Sequence, residues 1–292
     1  MAKIAVVQAG SVLFDTSATL EKLKHFAKDA AGSGAKLILF PEAFVGGYPK
    51  GASFGALVGS RSPDGRDLFR RYFESAIAVP GPETATIAET AASLGVHIVT
   101  GAIERCGGTL YCTVLHFDDS GALIGRRRKL MPTASERLIW GMGDGSTLDV
   151  VPTPHGRVGA AICWENYMPM LRMAMYAGGV ELYCAPTVDD RETWQTTMRH
   201  IALEGRCFVL TAVQYLAGED ATKSIRGGSA IYGPLGEEIA APVYGREAVL
   251  TADVDLGLLA RAKYDFDAVG HYARPDIFTL HIDRRAKKAV EA

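Results

Sequence analysis

Three segments place reactive side chains where a strand-like stretch gives way to a turn, the position at which α/β folds tend to hold their chemistry. In LILF-PEAF, Pro41 ends an apolar run and Glu42 follows it. A carboxylate so close to a buried strand is costly unless it is paired or used, and a surface turn is the plainer reading. In RRRKLMPTASER, Lys129 closes a basic strand and Glu136 lies seven residues on. Alternation turns two of the four basic residues to one sheet face, so the pattern alone does not single out Lys129. The arginines 126–128 fit a solvated edge that discourages strand pairing, and Glu136 fits an early helix carboxylate. In AAIC-WENYMP, Cys163 closes a small-residue strand just before a helix at 168–177. A thiol there has backbone N–H groups and a helix N-terminus at hand to lower its pKa and to hold a developing anion. Cys163 is therefore the best nucleophile in the chain, whereas Cys106, Cys112, Cys184 and Cys207 read as inert packing thiols.

Other candidates are weaker. GASFG at 51–55 matches a serine-hydrolase pattern, but it follows the loop-like GGYPK and not a strand, which leaves Ser53 without the elbow it needs. GMGDG at 141–145 forms neither a dinucleotide nor a phosphate loop. Spacing leaves open a cysteine–histidine pair between Cys163 and His97, His155 or His200. Asn166, the only asparagine of the chain, stands three residues from Cys163.

The elements that must position these groups alternate between strand and helix. KIAVVQA (3–9), KLILF (36–40) and VHIVT (96–100) read as strands, separated by helical stripes through Leu20, Leu23, Ala27 and Ala30, through Leu68, Phe69, Tyr72, Phe73 and Ala76, and through Ile87, Ala91 and Leu94. Residues 109–130 read as a hairpin around the DDSG turn. RVGAAIC (157–163), VELYCAP (180–186) and CFVLTAVQ (207–214) are short buried strands, with helices at about 169–177 and 191–204 between them, and further strands lie within 229–240 and 248–255. No linker or repeat divides the chain, which predicts one α/β domain over 1–280 and a frayed tail over 281–292.

Bulk properties narrow the partners. A net charge of −2 and a pI near 6.4 offer no basic field for nucleic acid, which favours a small or uncharged ligand. No apolar run approaches the ~18 residues of a membrane span, and no export signal opens the chain. Five scattered cysteines without a C-x-x-C pair read as free thiols, and the expected compartment is the cytoplasm. The seven histidines form no zinc spacing, so neither metal nor cofactor is expected.

Taken together, FPEAFVGGYPKG (40–51), RRKLMPTASERLIWGMGDG (127–145) and AAICWENYMPM (160–170) resemble the nitrilase superfamily, whose members place Glu, Lys and Cys at three strand ends in this order. Residues 181–210, 227–236 and 271–278 are similar to the corresponding stretches of true nitrilases, so the resemblance covers nearly the whole chain. It implies an α-β-β-α four-layer sandwich, two sheets face to face with helices outside. It makes Glu42 the general base, Lys129 the cationic stabiliser, Cys163 the nucleophile and Glu136 the second carboxylate that positions substrate or water. Trp164-Glu165-Asn166 looks like the nitrilase branch, where amidases and carbamoylases commonly place Tyr-Asp. Tyr48, Trp164, Thr187 and Trp194 are the expected pocket lining.

The activity so implied is hydrolysis of a small-molecule nitrile to acid and ammonia through a covalent thioimidate and thioester. The rivals are a nitrile- or cyanide-hydrating enzyme that releases the amide, an aliphatic amidase or carbamoylase, and a non-enzymatic scaffold. A homodimer or higher homo-oligomer is implied too. The segment after Gln214 and the tail are shorter than in many nitrilases whose extensions support filaments, which argues against long filaments.

Overall fold

The structure is a computed structural model and describes residues 1–218 and 220–287. Its strands are β1 (Ala2–Gln8), β2 (Leu37–Leu39), β3 (His97–Cys106), β4 (Thr109–Phe117), β5 (Leu123–Arg128), β6 (Val151–Thr153), β7 (Gly156–Ala160), β8 (Leu182–Thr187), β9 (Phe208–Val213), β10 (Tyr215–Leu216), β11 (Ile225–Tyr232), β12 (Glu238–Tyr244) and β13 (Ala248–Val254). The helices are α1 (Thr16–Gly32), α2 (Pro63–Ser75), α3 (Pro82–Leu94), α4 (Pro169–Ala177), α5 (Glu192–Gly205) and α6 (Gly257–Ala262). One sheet has the order β13-β1-β2-β3-β4-β5; the other runs β10-β11-β9-β8-β7-β6, with β12 also paired to β11. Both are mixed: β1, β2 and β3 are parallel, as are β7, β8 and β9, and antiparallel strands flank each trio.

Strand periodicity builds the layers. In β1, Ile4 and Val6 face the second sheet while Ala5 and Val7 face helices, because successive side chains leave a strand on opposite sides. The same split recurs in β8, with Leu182 and Cys184 in the inter-sheet core and Tyr183 and Ala185 on the helix side. Three separate cores result. One lies between the sheets, one joins α1 and α3 to the first sheet through Leu23, Ala27, Ile87 and Ala91, and one joins α4 and α5 to the second through Met175, Met198 and Ile201. Three apolar interfaces define four layers, the α-β-β-α sandwich.

The helices begin and end where their residues direct. Asp15 caps α1 by accepting the Ala18 N–H at 2.8 Å, Ser62 caps α2, prolines open α2, α3 and α4, and Gly95 closes α3 in the left-handed region. Strand β3 runs six residues past the expected 96–100 stretch. Its polar end is held by pairing with β4 and by the buried Glu104, which Arg126 and Arg128 clamp. The frayed tail does not hold as far as it is seen. Arg284 donates to Leu148 O and Asp149, the Lys287 N–H donates to Asp144 at 2.7 Å, and residues 288–292 lie outside the described residues.

Candidate active site

All three strand ends converge at one end of the inter-sheet core. Glu42 follows β2 after Phe40 and Pro41, and Ala43 next to it adopts a left-handed φ of 50°. That sharp turn fits because β3 carries Gly101 alongside: a Cβ there would stand 2.3 Å from Pro41 O and 2.7 Å from Glu42 Cα. The Glu42 carbonyl is fixed by Gln214 Nε2 at 2.7 Å, and Gln214 in turn accepts from Ser11.

Lys129 follows β5, with its N–H on Cys112 O of β4 at 2.7 Å. Its ammonium donates to Glu42 Oε1 at 2.7 Å and to Glu136 Oε2 at 2.8 Å, and both Lys129 and Glu42 are fully buried. Glu136 sits in a short 3-10 turn, Ala134–Leu138, where its Oε2 also accepts the Thr133 N–H at 2.6 Å. It is thus both the early-helix carboxylate of the sequence reading and a partner of Lys129. Tyr48 donates to Glu136 Oε1 at 3.0 Å, and the Trp140 indole lies under the ammonium, 5.5 Å away.

Cys163 opens a second 3-10 turn, Cys163–Tyr167, at the end of β7, and is itself left-handed with φ 52°. A non-glycine residue in that region is held there by its surroundings. Asn166 supplies part of the hold, donating to Ala161 O at 2.9 Å and Cys163 O at 2.7 Å. Glu165 supplies more, accepting the Ile162 N–H at 2.8 Å, the Leu130 N–H at 2.6 Å and both terminal nitrogens of Arg127. Cys163 is 3% exposed, and Glu42 and Thr187 are the neighbours that act on its buried thiol.

Electrostatics depart from the expectation of a depressed thiol pKa. Burial pushes the Cys163 thiol well up, with the Glu42 charge adding to it, so the resting group is S–H. Burial likewise raises Glu42 to about 7, against the pull of Lys129. Lys129 stays charged: burial opposes its charge, but Glu42 leads the neighbours that hold its pKa well above the usual value. A 3-10 turn provides too little dipole to outweigh these effects. Glu42 Oε2 is buried with no hydrogen-bond partner among the described residues, an acceptor next to an undissociated thiol.

The expected pocket residues divide. Tyr48 lines a cavity of about 380 Å³ with Phe54, Glu136, Leu138, Ile139 and Trp140. Thr187 is buried beside the thiol, and Trp164 is 43% exposed with its indole N–H on Asp189 at 2.9 Å and Arg191 over its ring. Trp194 is a correction. It lies in the core between α5 and the second sheet, donating to Thr211 Oγ1 at 2.8 Å, because its place on α5 turns it inward with Met198 and Ile201. The arginines correct a second expectation: Arg126 and Arg128 leave one face of β5 for Glu104, while Arg127 leaves the other, buried, for Glu165.

The histidines are engaged elsewhere: His97 packs edge-on to His155 with Asp119 nearby, and His200 stands by Glu204. Ser53 lies in the 50–56 loop and accepts the Gly55 N–H. The sequence reading missed Gly143, whose N–H supports Lys129 O at 2.7 Å and whose missing side chain admits Arg128 O; its signal was the GMGDG run.

With this geometry in place, kinship decides the family. Residues 3–264 match the family described as carbon-nitrogen hydrolase. The chain belongs to the carbon-nitrogen hydrolase family. It is 54% identical to an aliphatic nitrilase of Sinorhizobium fredii (strain HH103), over 99% of this chain and 97% of the relative. It is 51% identical to a bifunctional nitrilase/nitrile hydratase of Nicotiana tabacum, over 99% of this chain and 88% of that one. Among solved structures, the C. elegans NitFhit protein superposes with a TM-score of 0.81 at 22% identity, covering 99% of this chain and 70% of that one. An amidase from Nesterenkonia sp. AN1 gives 0.73 at 18%, covering 89% and 96%. These two likenesses speak to the sandwich fold.

Proposed function

We infer that this carbon-nitrogen hydrolase acts as a nitrilase, converting an organic nitrile to the carboxylic acid and ammonia, and that Cys163, Glu42, Lys129 and Glu136 carry the reaction. Identity above 50% to nitrilases along the full chain supports the activity. The observation that carries the residue roles is the free Glu42 Oε2 beside the buried Cys163 thiol, with Lys129 bridging two carboxylates.

In the first step Glu42 Oε2 takes the thiol proton and Cys163 Sγ bonds to the nitrile carbon. Glu42 returns the proton to nitrogen, which gives a thioimidate. Lys129 and the backbone N–H of Trp164, which lacks an intrahelical acceptor in the first turn, stabilise charge on nitrogen and later on oxygen. Water, positioned by Glu136, gives a proton to Glu42 as its oxygen adds to the carbon. Glu42 passes that proton to nitrogen, the hydroxyl proton of the adduct follows by the same route, the C–N bond breaks, and ammonia leaves a thioester. A second water adds to the thioester, the C–S bond breaks, and acid and thiol are restored. If the first tetrahedral adduct expels sulfur in place of ammonia, the product is the amide. The bifunctional name of the tobacco relative favours that as a minor outcome.

Tyr48, Trp164 and Thr187 are the residues of the expected lining that remain as substrate contacts, and one domain over 1–280 is the organisation we favour. A homo-oligomer in the cytoplasm is part of the same reading. Exposed Tyr264, Tyr272, Ile277 and Phe278 support the first, and five free cysteines the second. Sedimentation velocity checks the assembly, and a monomer at micromolar concentration refutes it. The decisive experiment is ammonia release with product identification from phenylacetonitrile, 3-phenylpropionitrile, fumaronitrile, cyanide and the matching amides. Acid and ammonia from nitriles, abolished in Cys163→Ala, are expected. Turnover of amides alone, or activity that survives Cys163→Ala, overturns the reading.

A further inference from the structure

A second thiol lies inside the cluster, and the reaction as written makes no use of it. Cys112 is buried on β4, its Sγ 3.7 Å from Glu42 Oε1, in hydrogen-bond range for sulfur. Its carbonyl accepts the Lys129 N–H at 2.7 Å, so one residue touches both partners of the central ion pair, one by side chain and one by backbone. Glu42 Oε1 therefore takes two donors, Lys129 Nζ and Cys112 Sγ, while Oε2 takes none from the described residues.

We propose that Cys112 is a positioning residue for the general base: its thiol holds Glu42 Oε1 and so reserves Oε2 for the proton of Cys163. The inference rests on Glu42 being that base. Cys112 stays a thiol throughout, and no proton leaves it. The S–H bond that breaks is that of Cys163, and the O–H bond that forms is on Glu42 Oε2. Burial keeps the Cys112 thiol from ionising, as does the neighbouring Glu42 charge, which preserves it as a donor. A donor to a carboxylate favours the ionised form, so Cys112 also keeps Glu42 more acidic than burial alone would leave it.

The groups that face Glu42 are Lys129 after β5, Glu136 in its 3-10 turn, Cys163 after β7 and Cys112 on β4, with the phenols of Tyr48 and Tyr72 in the same field. Cys112 itself is faced by Glu42, Lys129, Glu136 and Glu165. The two Cys112 variants leave all the other groups in place, so a change in the titration of Glu42 between them and wild type reports on this one contact.

The test is the pH dependence of Cys163 alkylation by iodoacetamide in the full chain, followed by peptide mass spectrometry, for wild type, Cys112→Ser, Cys112→Ala and Glu42→Gln. The alkylation rate should rise through the Glu42 titration. A hydroxyl is the stronger donor, so Cys112→Ser should move the midpoint down by about 0.5 pH unit, and Cys112→Ala, with no donor, should move it up by about as much. Coincident midpoints, or a shift of both variants in one direction as packing alone would give, overturn the role of Cys112. Should the alanine variant fail to fold, the serine variant decides: a lower midpoint supports the proposal and an unchanged one refutes it. A rise that persists unchanged in Glu42→Gln refutes Glu42 as the base, and the role of Cys112 falls with it. A rise that needs Glu42 but ignores Cys112 removes the positioning role alone.

Discussion

Arg127 and Glu165 meet as a buried bidentate pair, Nη1 to Oε2 at 2.9 Å and Nη2 to Oε1 at 2.7 Å, linking the last strand of one sheet to the turn that carries Cys163 in the other. The same carboxylate accepts the N–H groups of Ile162, before the nucleophile, and Leu130, after Lys129. Sulfur and ammonium are thus set against each other through one side chain. Glu165→Gln, which turns an acceptor oxygen into an NH2 facing donors, is expected to lower kcat about 100-fold with a small change in KM, since mispositioning acts on the reacting geometry. Arg127→Ala should cost about 3–5 kcal/mol of stability by stranding a buried charge. Steady-state kinetics and urea unfolding check the two; unchanged kcat in Glu165→Gln would show that the turn holds itself.

Gly101 admits the Glu42 turn, and its substitution by alanine is a backbone clash, 2.3 Å to Pro41 O and 2.5 Å to Ala43 N. Backbone must shift by tenths of an ångström or more. Gly101→Ala should lose about 1–3 kcal/mol of stability and at least tenfold in kcat/KM, because the base moves with the turn. Thermal unfolding together with kinetics tests this; full activity in a destabilised variant would detach Gly101 from the base.

The raised Glu42 pKa, about 7, has a definite sign. The base works ionised, so kcat/KM should climb between roughly pH 6 and 8 and level off above, with no fall from Lys129 below pH 9 because its pKa is held well above the usual value. The same shift costs stability. A carboxyl whose folded pKa lies above its unfolded value weakens the fold as pH rises from the unfolded pKa, about 4.5, through 7, and lowers it no further beyond. Glu42→Gln should accordingly be inactive and lose less stability across that window than wild type. Melting curves from pH 4.5 to 8 decide it, and a steeper loss in the variant contradicts the assignment.

Tyr48 and Trp194 offer a paired contrast. Tyr48→Phe removes the 3.0 Å bond to Glu136 and should reduce kcat/KM about 5- to 10-fold with stability nearly intact. Trp194→Phe empties part of the α5 core and leaves Thr211 Oγ1 without its indole donor, so it should lower the melting temperature and leave KM alone. A KM change in Trp194→Phe with no loss of stability would return that residue to the pocket.

Two strand ends carry a local signal, Pro41 after an apolar run and a cysteine after small residues, whereas the third, a run of four basic residues, does not single out Lys129, and the resemblance supplies that choice. Period-two and period-3.6 patterns marked most strands and helices, and the resemblance supplied the four layers. What stayed hidden depends on distant partners. Nothing near Arg127 says that Glu165, 38 residues on, will bury it, or that Cys112 will reach Glu42, 70 residues back. The direction of the Cys163 pKa was missed for a related reason: a strand–helix junction speaks for a low value, whereas depth of burial and the Glu42 charge set it. Trp194 was misplaced because a helix's inward face depends on which sheet it packs against.

The lone ammonium of Lys129 stands between two carboxylates, so once Glu42 is ionised the cluster carries an excess of one negative charge. A nitrile arrives neutral, but its hydrolysis creates an anion within that field. The site is therefore hostile to what it makes, and repulsion shortens the stay of the finished acid while an amide, neutral like the substrate, feels no such push. Carboxylate products should inhibit less than their matching amides, most clearly above pH 7. Equal inhibition constants across that range would mean that the excess charge is screened where the product sits.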